Sequence, residues 1–214
     1  MRETLPDPPP ETRLGTPRAA GLAGVAFAVL LAAAIVLVRT ALPSGGGGEA
    51  VAVAPGREDA LRAAVELVPF AGIAFLWFMG ALREHTGAAE DRFFATVFLG
   101  SGLVFVACLF GATAAAGTVL SAGEPESFGR HFAYTLMTTY AMRMAAVFVF
   151  ATSAIGRRMG VMPRGLTAAG YAAGLVLLFV GSAVPWTELV FPAWALAVSV
   201  YVLRAARGRR SAAA

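Results

Sequence analysis

The sequence predicts an all-α membrane protein, a polytopic bundle of six transmembrane helices with both termini cytoplasmic. Three observations lead there. The 214 residues are 58% hydrophobic and only 14% charged, whereas a soluble domain carries about 25% charged residues. The apolar residues gather into six runs of 18 to 24 residues, each enough to cross roughly 30 Å of hydrocarbon as a helix. None of the runs alternates as a barrel strand would, and lipid leaves a lone strand's backbone unsatisfied.

Residues 1–18 come first. They are polar and rich in proline (Pro6, Pro8, Pro9, Pro10, Pro17), cannot bury a core, and are expected to be disordered. The six spans follow as Ala19–Val38, Leu61–Leu82, Phe93–Ala116, Phe132–Ile155, Leu166–Val184 and Trp186–Leu203. A basic tail, 204–214, closes the chain. The first run is too long for a leader peptide's apolar core, so it is read as a retained helix. The stretch 40–60 carries four consecutive glycines, Gly45–Gly48, and reads as a flexible linker. Only Pro185 separates the last two spans.

All 17 basic residues are arginine. With the N-terminus inside, twelve fall on the cytoplasmic side and four outside, and the excess of positive charge sets the orientation. The net charge of +4 and pI near 10.0 could suggest nucleic acid, but the arginines cluster at span ends. Anionic lipid headgroups are the better match, and no nucleic-acid partner is expected. A second copy or another membrane protein remains a candidate partner.

Arg143 is the exception, since it lies inside the fourth run. Its guanidinium cannot shed its proton, and hydrocarbon costs it a few kcal/mol or more without a counter-charge or water. His131, Thr135, Thr139 and Arg143 recur every four residues and so share one slowly turning stripe. Two readings fit that stripe: a polar lining inside the bundle, or, as the plainer one, Thr hydroxyls returned to their own helix with Arg143 in a buried structural ion pair. Glu66, on the second span, is the expected partner of Arg143, offset by about 9 Å along the membrane normal. Glu188 on the sixth span completes the intramembrane ionisable set.

Pro69 and Pro192 are expected to break the second and sixth helices, freeing the carbonyls of Val65 and Glu188. Broken helices beside carboxylates are parts of transporter ion sites; ordinary kinks, with Glu188 near the headgroups beside Trp186, are the simpler reading. Gly170 and Gly174, like Gly100 and Gly102, mark close helix packing. Ser101 between the latter two is no protease serine, because no span holds a histidine base. Trp77, Phe78 and Trp186 suit aromatic belts. Cys108 is the single cysteine, which excludes an intrachain disulfide. His85 and His131 fall on opposite sides of the membrane. No metal, cofactor or catalytic set is expected.

The stretches Leu67–Phe78 and Glu90–Gly102 resemble uncharacterised multi-pass membrane proteins of high-GC actinobacteria. The resemblance implies a plasma-membrane location and no particular activity. The leading expectation is therefore a non-enzymatic membrane component or partner-binding subunit. The alternatives are a small transporter working through Glu66 and Arg143, and a lipid-acting enzyme using His131 or Glu188.

Overall fold

The computed structural model describes residues 17–41, 57–86, 92–122, 127–180 and 184–211. The readings made for residues 1–16, for the glycine linker, for much of the loop near residue 90 and for the last three residues lie outside them. Everything described is helix or short turn, in the order α1 (Pro17–Ala41), α2 (Arg57–Thr86), α3 (Arg92–Ala122), α4 (Ser127–Thr135), a π-helical segment (Leu136–Ala141), α5 (Met142–Arg158), α6 (Arg164–Phe179), a single 3-10 turn (Thr187–Leu189) and α7 (Val190–Ser211). Five helical stretches are long and apolar enough to cross a membrane: Gly21–Ala41, Glu58–Arg83, Phe93–Thr118, His131–Arg158 and Thr187–Arg207.

α6 is shorter than the expected span Leu166–Val184. Its 16 residues stop at Phe179, well before Pro185, next to which helical backbone is disfavoured. α7, by contrast, runs on to Ser211 and takes in the arginines expected in a tail.

The long helices pack on their neighbours in chain order, and α7 returns to pack on α1, so the bundle is a closed ring. Small residues permit the tightest crossings. A Cβ on Gly24 would come within 2.0 Å of the Ser199 Oγ, and one on Gly170 within 2.0 Å of the Ser153 Oγ. Gly100, expected to pack likewise, faces open space, whereas Gly102 sits under Met79 and Phe148.

The middle of the ring is filled by phenylalanine. Each of the five long stretches contributes at least one fully buried ring, and Phe27, Phe75, Phe105, Phe148 and Phe191 meet at the centre. Ring centroids lie 4.8 Å apart for Phe27–Phe75 and 5.0 Å for Phe75–Phe105, Phe75–Phe148 and Phe105–Phe191. At those separations the rings meet edge-on or tilted, the arrangement their quadrupoles favour. Phe78 belongs to this core rather than to an interfacial belt, while Trp77 is 71% exposed.

The two prolines differ. Pro69 lies inside α2, whose helix nevertheless continues from Arg57 to Thr86. Pro192 is the third residue of α7, where the missing N–H has no intrahelical carbonyl to lose. It starts a helix instead of breaking one.

Candidate functional site

Two polar features stand out against this apolar frame. The first is buried. Gly24 lies against Ser199; from that level α1 continues to Ala41, whereas the 3-10 turn ahead of α7 begins only at Thr187. The start of α7 is therefore recessed by roughly 7 Å beneath the end of α1. Arg39, in the last turn of α1, reaches down into the recess.

Its Nη2 forms an ion pair with the Glu188 Oε1, the two side chains being 8% and 1% exposed. The Arg39 Nη1 donates a hydrogen bond of 3.3 Å to the Tyr134 Oη, and the guanidinium lies 5.8 Å from the Tyr134 ring centroid. Glu188 is held in place by the turn before it. Trp186 adopts φ 70°, a left-handed conformation uncommon for a bulky residue, and the 3-10 turn that follows points Glu188 inward. The second oxygen of Glu188, Oε2, has no hydrogen-bond partner among the described residues. Glu188 thus lies inside the bundle rather than among headgroups.

The second feature faces outward. The fourth span is interrupted by the π segment Leu136–Ala141, inside which Thr138 Oγ1 donates 2.8 Å to the Tyr134 carbonyl. A hydroxyl on that carbonyl competes with the ordinary i+4 amide and loosens the helix there. In an unbroken α-helix, residues four apart drift by about 40° per step, or roughly 120° from His131 to Arg143. A π segment takes back about one residue's worth, roughly 100°. The stripe is thereby held nearly straight. His131, Thr135 and Arg143 are all exposed and Thr139 half-buried on this outer line, with Tyr140 beside them at 54% exposure.

The expectation that this stripe lines an interior path is therefore corrected. So is the Glu66–Arg143 pair. Both side chains are exposed, on α2 and α5, with α3 between those helices. The ion pair among the described residues is Arg39–Glu188 instead. The physical reason is that the interior is already full: phenylalanine occupies the place the sequence assigned to a polar cavity. The groove at this level, about 40 Å³, is lined mainly by apolar side chains such as Val38, Leu61, Val65, Leu109 and Met137, and neither Glu66 nor Arg143 lines it.

No protein-family model matches the chain, and neither does any curated protein or solved structure.

Other candidates also find their places. Ser101 Oγ donates back to the Val97 carbonyl at 2.6 Å, as a helix-packing serine does. No group of three or more His, Cys, Asp or Glu converges among the described residues. Sequence reasoning missed Arg39 as a site residue and counted Tyr134, with Tyr140, only as a further hydroxyl of the fourth span. The signal was present: a basic residue ending the first span and an acidic one opening the last fall at the same predicted face.

Proposed function

We propose that this chain is a non-enzymatic component of the plasma membrane whose fourth span docks laterally against another membrane protein. It crosses six times, counting α6, whose reach of about 24 Å is short but sufficient with flanking turns, and keeps both termini in the cytoplasm. One observation carries the reading: the π segment holds His131, Thr135, Thr139 and Arg143 on a single outward line. Left against lipid tails, an arginine at that depth is costly, and intramembrane polar groups of this kind are satisfied across helix–helix contacts.

The aromatic plug argues against transport, because five tightly packed phenylalanines leave the axis of the bundle without a polar passage. The transporter alternative now rests on Arg39 and Glu188 rather than on Glu66 and Arg143, favoured by the unpartnered Glu188 Oε2. A lipid-acting enzyme is less well supported, since His131 lies on the outer surface while Glu188 is buried and engaged by Arg39. The plasma-membrane assignment draws on the resemblance in α2 and α3 and on the arginine bias.

The test is a photo-reactive residue at Thr139 in cells making the full chain. Docking predicts that it captures protein, at a defined mass. Adducts with lipid alone would falsify the reading. For the alternative, proteoliposomes would be assayed for flux of ions and small solutes; flux abolished by Glu188→Gln would favour transport over docking.

A further inference from the structure

We infer that the protein meeting this outward line is a second copy of the same chain, with Arg143 of one protomer paired to Glu66 of the next. The inference rests on the docking role proposed above and gives it a partner. Charge complementarity carries it. Glu66 is an exposed carboxylate and Arg143 an exposed guanidinium, both within apolar spans, and neither makes an ion pair with another described residue. Arg62, one turn from Glu66 on the same helix, is exposed and forms no ion pair with it.

Their depths agree. The Phe75 and Phe148 rings lie 5.0 Å apart and mark a common level on α2 and α5. Measured from there, Glu66 and Arg143 lie toward the same end of the bundle, offset by about 6 Å. Both helices run in the same direction, so both side chains lean toward that end. The longer arginine gains more by leaning and closes most of the gap.

The surface around Glu66 suits a lateral contact. Phe70, Ile73 and Trp77 share its helix face and are all exposed. Because Glu66 and Arg143 occupy different faces of the protomer, the contact is heterologous. It repeats head to tail and closes as a ring where the rotation allows.

The experiment mixes donor- and acceptor-labelled copies in proteoliposomes and reads energy transfer across a series of protein-to-lipid ratios. Wild-type copies associate. Glu66→Arg alone and Arg143→Glu alone each place like charges together, and association falls by roughly tenfold. An equal mixture of the two variants restores it, because each supplies the charge the other lacks. If a reversed variant fails to insert, Glu66→Gln and Arg143→Gln read the same coupling: each weakens association, and the double variant weakens it no further.

Wild-type copies that stay monomeric, or a mixture no better than its components, overturn the inference. Monomeric copies whose Thr139 photo-adducts still reach a different protein overturn it while leaving the docking role in place. Adducts with lipid alone overturn both.

Discussion

Arg39, in the last turn of α1, and Glu188, just ahead of α7, form an ion pair sealed inside one end of the bundle. The pair ties the first helix to the last where α7 starts short of the end of α1. Removing one member of such a pair leaves an uncompensated buried charge, at a cost of about 3–5 kcal/mol. Arg39→Leu and Glu188→Leu, each alone, should therefore lower the unfolding midpoint in a denaturant titration strongly. The double variant should recover most of the loss. A double variant whose loss equals the sum of the two would show that the pair is not coupled.

Arg143 should behave in the opposite way. It is an exposed cation without an ion pair among the described residues, so Arg143→Leu should leave the stability of the isolated protein unchanged or raise it slightly. Exposed positions of this kind move stability by about 0.5 kcal/mol or less. A loss comparable to that of Arg39→Leu would mean that Arg143 holds the fold together.

The phenylalanine cluster predicts a steep dependence on ring volume. Phe75 touches Phe27, Phe105, Phe148 and Phe191. Phe75→Ala should cost on the order of 3 kcal/mol, and Phe75→Leu considerably less. Equal losses for the two would contradict a close-packed plug.

Glycine substitutions separate packing from mere exposure. A Cβ on Gly170 meets Ser153 Oγ and Trp194 Nε1, at 2.0 and 3.0 Å, while one on Gly100 meets nothing within 4 Å. Gly170→Val should destabilise by about 1–3 kcal/mol. Gly100→Ala should be neutral or stabilising by up to about 1 kcal/mol, from helix propensity alone. Thermal unfolding of the two variants side by side makes the comparison.

The helices themselves were legible in the sequence, because lipid forces any long apolar segment to satisfy its own backbone. Which way each helix faces was not. A membrane protein's lipid-facing surface is as apolar as its core, so Phe27 and Phe75, both buried, cannot be told by pattern from Phe70 and Phe179, both exposed. That ambiguity misplaced Arg143, which was assigned to the interior on the cost of its charge and on its four-residue spacing from Thr139, Thr135 and His131. The π segment was equally hidden, since nothing in Leu136–Ala141 departs from an ordinary helical composition. Glu188 was counted among the intramembrane ionisable residues but not paired with Arg39, because the recess beneath Arg39 depends on how far α7 falls short of α1.

The most direct measurement is a scan of lipid contact along the fourth span. Single nitroxide labels would be placed from 131 to 147 in a Cys108→Ala background, at high lipid-to-protein ratio, and their exposure to oxygen dissolved in the bilayer recorded. Maxima are expected at 135, 140 and 143, with 139 intermediate, and minima at 137, 141, 142 and 145. A label at 143 as shielded as one at 142 would place the arginine inside the bundle and contradict the outward polar line.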